Sequence, residues 1–309
     1  MTEAKQKYVD FHMHTYYSDG IDSPANLVRT AAMAGLDYMA ISDHDNSKSY
    51  EEAKIEADKW KIGLVSGAEV STNRFHILGL GFDVRETRSF SEHPENPSQT
   101  QSFLDIKNTG FQEFLKHSRG LQRDNCARRI DVLKQQGVPI SIEKVEAFCP
   151  DSRLGKYNIV MTMLVDEECR NYFKKVHGRY LNHTEIFDNY LARETEAGKL
   201  RSVNVSPEEA IKAIHKANGI AILAHPFEDI RDPKDMGELD RLVSLGIDGL
   251  EIQLNFNGRN EPFKKYALEH NLLISYGSDY HGASFGRAFS SRGENVLSEN
   301  LARALNLEV

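Results

Sequence analysis

Short apolar runs, separated by amphipathic stretches of about ten residues, mark the first 82 positions of the chain. Tyr8–Phe11 reads as a strand. A helix then runs from Ser23 and Pro24 to about Ala34, with Ser23 as cap and Pro24 at the first helical position. Tyr38–Ile41 predicts a strand and Ser49–Trp60 a helix, and strands follow at Leu64–Ser66 and Phe75–Leu80. Strands that alternate with helices of this length imply parallel pairing through βα units.

The pattern changes in the middle. Residues 84–104 are polar and read as a loop, and residues 105–200 carry a charged, helical pattern, as in Arg119–Gln136 and Ile186–Ala197. Strand signals are nearly absent there. Alternation returns after Pro207, with helices at Glu208–Asn218, Met236–Leu245 and Pro262–His270 and strands at Ile220–Leu223, Gly249–Gln253 and Leu272–Tyr276. About seven βα units interrupted once predict an α/β barrel-like domain over 1–104 and 201–309. The helical insertion, 105–200, is expected to be a cap over a site in the barrel. In such barrels chemistry gathers at the C-terminal ends of the strands.

Composition narrows the class. Over 309 residues, 40% are hydrophobic and 27% charged, which is ordinary for a soluble globular protein. No apolar run approaches the ~18 residues of a membrane span, and Met1–Lys5 lacks the apolar core of a signal peptide. Cys126, Cys149 and Cys169 are an odd number without metal-type spacing, so reduced thiols and a cytoplasmic location are expected. A net charge of −8 argues against a binder of long nucleic acid. It leaves room for a small phosphorylated ligand or a short oligonucleotide.

Metal-type ligands cluster at the ends of these runs. His12 and His14 follow the first strand at alternate positions, so both rings reach the same side. Asp19 lies in a Ser-Asp-Gly turn, His44 in Ser-Asp-His-Asp, and Glu69 after an apolar strand and a Gly. His76 sits inside a strongly apolar strand, where a lone histidine reads as core. His225 precedes Pro226, and Asp279 and His281 close the last strand. A bare His-x-His is common by chance; the joint placement at strand ends is not. The remaining histidines, among them His93 and His117, read as surface or capping residues.

These segments, in this order, resemble the PHP (polymerase and histidinol phosphatase) family of metal-dependent phosphoesterases. The carrying motifs are Asp10–His14, Ser18–Gly20, Ile41–Asp45, Gly67–Ser71, His76–Gly81, Leu223–Pro226, Gly249–Glu251 and Gly277–Gly282. The resemblance implies a distorted (β/α)7 barrel with an inserted helical cap. It also implies three divalent ions, of Mn, Fe or Zn, held by His12, His14, Glu69 and Asp279, by Glu69, His76 and His225, and by Asp19, His44 and His281. In this scheme Asp19, His44, Glu69 and His225 carry the catalysis, and a water activated by the ions attacks phosphorus in line.

The insertion is most similar to that of the stand-alone subgroup, which acts on nucleotides and 3′,5′-bisphosphonucleotides. Lys156 and Asn158 stand where that subgroup carries Arg and His, and Lys lacks the planar fork that suits phosphate. Arg153, Lys156, Asn158, Arg259 and Arg287 are the candidates for contacting substrate. Asp43 and Asp45 are candidates to orient His rings or to cap the next helix. The alternatives are a 5′ exonuclease on short oligonucleotides and a module that binds nucleotide or metal without hydrolysis. A metal-dependent amidohydrolase is disfavoured, because no Lys stands at a strand end to bridge two ions.

Overall fold

In a computed structural model, the described residues are 6–84, 109–150, 154–231, 236–254, 258–283 and 288–309. The expected loop at 84–104 lies almost wholly outside them, as do Arg153 and Arg287. The chain divides into two compact units. One comprises residues 1–116 and 205–309, the other residues 117–204.

The first unit is built on seven strands: β1 (Val9–Asp10), β2 (Tyr38–Ile41), β3 (Gly63–Ser71), β4 (His76–Leu80), β5 (Ile220–Leu223), β6 (Gly249–Gln253) and β7 (Leu273–Gly277). They form one sheet in chain order. A hydrogen bond from Phe11 N to Tyr276 O, 2.9 Å, ties the end of β1 to β7, so the sheet nearly closes into a barrel. Between β1 and β2 lies α1 (Pro24–Met33), and between β2 and β3 lies α2 (Ser49–Trp60). As the sequence predicts, Ser23 caps α1 by accepting from Asn26 N, and Pro24 opens it.

Two expectations are corrected. Pairing is parallel for β1–β2, β2–β3, β5–β6 and β6–β7 but antiparallel for β3–β4 and β4–β5. Only residues 72–75 separate β3 from β4, far too few for a parallel crossover, so that connection must be a hairpin. In addition β3 runs on to Ser71, five residues past its expected end at Ser66. Glu69 is therefore a mid-strand residue opposite Leu78 of β4, not a loop residue beyond a strand.

The core follows the period-two alternation of buried strands. Val9, Phe11, Leu78, Leu80, Ile222, Ile252 and Tyr276 form one cluster with Leu301 and Ala302 of a C-terminal helix (Glu299–Ala304), which the apolar pattern did not predict. Leu27, Val28 and Ala31 of α1 pack with Ala53 and Ala57 of α2 and with Met39 and Ile41 of β2 in another. The second unit is helical. It contains α4 (Ile142–Phe148), α5 (Lys156–Val165), α6 (Glu167–His177) and α7 (His183–Tyr190), and α3 (Thr109–Gln135) supplies Cys126, Ile130 and Leu133 to its core. The helix expected at 186–197 stops at Tyr190, where Thr195 folds back with its hydroxyl on Tyr190 O and Ala192 O.

Two glycines expose the difference in packing. A methyl group on Gly277, at the end of β7, would collide with the Glu251 carboxylate and with His12. One on Gly120, inside α3, would meet nothing within 4 Å. Gly277→Ala is expected to destabilise by about 1–3 kcal/mol through overpacking. Gly120→Ala is expected to stabilise by up to about 1 kcal/mol through helix propensity. Opposite shifts in thermal midpoint would bear this out, and shifts of the same sign would refute it.

Candidate metal centre

Strand ends aim the ligand candidates at one place. Beyond β1 and β7 the backbone stays paired, with Asp279 N donating to His12 O and His14 N to Tyr280 O, both at 2.8 Å. That pairing fixes His12 and His14 as alternate residues of an extended segment. His44 lies beside Glu69 through a parallel bridge, with Asp45 N donating to Glu69 O. His76 opens β4, and Ala224 N donates to its carbonyl, which sets His225 next in line. The turn carrying Asp19 is held by Ile21 N donating to His281 O.

Three residues here take positive φ without being glycine: Asp45 at 50°, His225 at 26° and Asp279 at 51°. The left-handed region is uncommon for such residues and costs of order 1 kcal/mol or more each. The turns re-aim the chain as it leaves β2, β5 and β7. His225 and Asp279 thereby enter the cluster, while Asp45 Oδ1 accepts from Ser71 N at the end of β3.

Glu69 is the hub. Its Oε2 lies 3.2 Å from His12 Nε2, 3.2 Å from His14 Nε2 and 3.0 Å from His44 Nδ1. Its Oε1 lies 2.8 Å from His76 Nδ1 and 2.9 Å from His225 Nε2. Asp279 Oδ1 is 3.3 Å from His12 Nε2 and 3.0 Å from His14 Nε2. On the other side of His14, Asp19 Oδ1 stands 3.3 Å from His281 Nε2, and Asp19 Oδ2 stands 3.6 Å from His44 Nε2. Among the described residues, three donor sets have ligand atoms all within 4.8 Å of one another: His12, His14, Glu69 and Asp279; His44, Glu69 and His76; and His14, Asp19, His44 and His281. His44 thus faces both Glu69 and Asp19. His225 joins through its contact with Glu69.

The donor set fits divalent metal ions. Donors about 2.1 Å from one ion sit roughly 3.0 Å apart at octahedral angles and roughly 3.4 Å apart at tetrahedral ones. The observed separations of 3.0–3.3 Å around Glu69 Oε2 and Asp279 Oδ1 fall in that interval. Glu69 Oε2 is buried and has three imidazole nitrogens around it, yet it makes a hydrogen bond with none among the described residues. His12 Nε2 and His14 Nε2 face each other at 3.1 Å. Lone pairs converging in a dry site call for a cation.

Behind the ligands lies a layer of buried carboxylates; Asp43 was expected there, whereas Asp10 and Glu251 stood in the family motifs with no role assigned. Glu251 of β6 is fully buried, with Oε1 2.8 Å from His12 Nδ1 and Oε2 accepting from His225 N at 2.6 Å. Asp10 of β1 accepts from His12 N and Ser278 N. Asp43 accepts from Thr15 N, Thr15 Oγ1 and Ser18 Oγ, and Ser18 Oγ stands 3.3 Å from His14 Nδ1. Asp43 therefore reaches a histidine through a serine. The signal for Glu251 was a charged residue inside an otherwise apolar central strand, Gly249–Gln253.

The electrostatics follow from this packing. Burial raises the Glu69 carboxyl, but His44, His12 and His76 outweigh it and hold it well below the usual carboxylate range. Asp19 is held low against burial by His44, His281 and His14. Burial opposes the charge on His12, yet Glu251 and Glu69 raise its imidazolium to about 10. Burial pushes Asp10 up to about 7 despite its two backbone donors.

The expected substrate contacts are placed as follows. Lys156 Nζ donates to Leu191 O at 3.0 Å and Gly198 O at 3.3 Å. Asn158 Oδ1 accepts from Gly155 N, closing the first turn of α5, and its Nδ2 donates to Cys149 Sγ. Both side chains thus serve the helical unit's own backbone and packing. Arg259 is exposed, with its guanidinium 6.0 Å from the Phe227 ring, two residues beyond His225.

A raised His12 has a signed consequence. Its pKa of about 10 lies above the ordinary 6.5, so near pH 7 the metal-free ring is protonated and an entering ion must displace the Nε2 proton. Mn²⁺ titration of metal-stripped protein at pH 7 is expected to release about one proton through this ring, and the release should fade as pH rises through about 10. Calorimetry in buffers of different ionisation enthalpy measures it; no buffer dependence would refute it.

Comparison with known proteins agrees with this geometry. The chain is 29% identical to a 5′-3′ exoribonuclease of Haemophilus influenzae over 89% of its own length and 90% of that protein. It is 24% identical to a 3′,5′-nucleoside bisphosphate phosphatase of Chromobacterium violaceum, covering 90% and 88%. A crystal structure from Bifidobacterium adolescentis, provisionally assigned as a metal-dependent phosphoesterase, shares the fold with a TM-score of 0.70 at 23% identity, over 98% and 96%. The PHP domain profile matches residues 10–269, and the chain belongs to the PHP domain family.

Proposed function

We propose that the barrel unit is a metal-dependent phosphoesterase that hydrolyses a small phosphate monoester, a nucleotide or a 3′,5′-bisphosphonucleotide. The observation that carries this reading is Glu69, whose two buried oxygens face different sets of imidazoles. A carboxylate so divided suits bridging between adjacent ions, the arrangement that serves in-line displacement at phosphorus. Three ions of Mn, Fe or Zn are the proposed complement, with Glu69 shared between two of them and Asp19, His44 and His281 facing the third. Bound there, divalent ions supply Lewis-acid charge and lower the pKa of water.

The protein's own part is placement. The barrel strands fix six imidazoles and three carboxylates before substrate arrives, which avoids reorganisation at the moment of reaction. Six imidazoles against three carboxylates leave loaded ions with net positive charge, complementary to a phosphate dianion. Arg259, exposed beside the Phe227 ring, is a proposed phosphate contact. The helical unit is proposed as a cap that selects the substrate.

A second reading is favoured by one finding, the similarity to a 5′-3′ exoribonuclease over most of both chains. The same centre would then cleave the terminal phosphodiester of a short oligonucleotide. The net charge of −8 is compatible with short substrates.

His12→Ala and Glu69→Ala are each expected to lower kcat/KM by at least about 10³, roughly 4 kcal/mol, and to lower metal content measured by elemental analysis. Retention of both activity and metal would sink the proposal. With Mn²⁺ added, a bisphosphonucleotide should be turned over at least about tenfold faster than a 5′-phosphorylated pentanucleotide. The reverse order would install the exonuclease reading instead.

A further inference from the structure

The carboxylate of Glu251 makes two contacts in opposite directions. Oε1 stands 2.8 Å from His12 Nδ1, and Oε2 accepts the backbone N–H of His225 at 2.6 Å. The first is a bond to a ring in the set formed with His14, Glu69 and Asp279. The second is a bond to a backbone held at φ 26°, whose side chain touches the other oxygen of Glu69. Glu251 is fully buried in β6, between β5 and β7, and Gly277 of the neighbouring strand leaves the space its carboxylate fills.

We propose that Glu251 is the positioning residue of the centre, setting the tautomer of His12 and holding the strained turn at His225. This inference rests on the metal-centre reading above. An ionised carboxylate only accepts hydrogen bonds, so His12 must carry its proton on Nδ1 and present the Nε2 lone pair to the donor set. A carboxylate behind a ligating imidazole also raises the basicity of the ring and locks its orientation. The second oxygen takes up the N–H of His225, a buried donor on a strained turn that would otherwise go unpaired. One side chain thereby steadies ligands on both sides of Glu69.

A glutamine at this position cannot do both. Its single carbonyl oxygen can accept from His12 or from His225, and its NH₂ would then face the remaining donor. Glu251→Gln is therefore expected to weaken Mn²⁺ binding by about 10–100-fold at the ion His12 would hold, measured by competition with a chelating dye. The downfield Nδ1–H signal of His12 in Zn²⁺-loaded, ¹⁵N-labelled protein, assigned by its loss in His12→Gln, is also expected to vanish or to move upfield, because a neutral carbonyl accepts less strongly than a carboxylate. A purely structural glutamate would lower the melting temperature and leave the tautomer signal in place.

Mn²⁺ affinity within twofold of the parent, with the Nδ1–H signal retained in place, overturns the proposal. Should Glu251→Gln not fold, Glu251→Asp keeps the charge on a shorter arm and is expected to show the same loss of affinity and change of signal; parent-like values there overturn the proposal equally. A parent chain that binds Mn²⁺ yet hydrolyses no phosphoester would refute the proposed function and leave this test standing. A parent chain that binds no Mn²⁺ would remove both.

Discussion

The barrel is organised around one energetic problem, the burial of Glu69 among imidazoles. A carboxylate at the centre of a dry site is costly unless positive charge surrounds it. Here five ring nitrogens lie within 3.2 Å of its two oxygens. Those rings come from the ends of β1 and β2, from β4 and from the end of β5. No single hairpin or helix could deliver them, because they arise from segments more than 200 residues apart. A nearly closed sheet can, since its strands converge in chain order with their ends on one rim.

The same requirement explains features that look unfavourable one at a time. Positive φ at Asp45, His225 and Asp279 lets the chain turn off its strand within one residue. The antiparallel hairpin β3–β4 places Glu69 mid-strand, where hydrogen bonds on both sides hold the backbone rigid, and brings His76 back beside it after a four-residue connection. Behind them Asp10, Asp43 and Glu251 take up backbone N–H groups and hydroxyls around the ligands. Asp43 and Glu251 meet the cost of burial with hydrogen bonds of 2.6–2.8 Å, the condition under which buried charge is tolerated, whereas Asp10, with two bonds of 3.1–3.2 Å, is pushed up by burial to about 7.

Much of this was legible in the sequence, for reasons of period and position. Tyr38–Ile41, Ile220–Leu223 and Gly249–Gln253 are short apolar runs bounded by polar turns, and their strand ends fall where the pattern puts them. His12 and His14 were recognisable because alternation in a strand sends both rings one way. The antiparallel pairing was not read, although the short gap between β3 and β4 required it. Glu251 stood in a family motif but its role was not read, because a single acidic residue in a buried strand announces burial but not its partner; His12 is 239 residues away. Lys156 and Asn158 stood out as departures from an expected motif. Their observed partners, two backbone carbonyls for one and Gly155 N and Cys149 for the other, depend on turns that a residue pattern does not reveal.

The arrangement also links metal binding to folding. In the metal-free chain positive charge beside Glu69 has to come from protonation, and against the opposing effect of burial Glu251 and Glu69 raise the His12 imidazolium while Glu69 raises that of His225. Protonation and metallation are thus alternative answers to one electrostatic demand, because each places positive charge beside Glu69. Protonation needs no ion but leaves Glu69 Oε2 without a hydrogen bond among the described residues. A bound ion would satisfy that oxygen and its neighbours together, and any ligand that binds only the native state stabilises it by mass action. The strain at His225 and Asp279 then makes sense as a cost carried by the fold so that the donors need not move when an ion arrives.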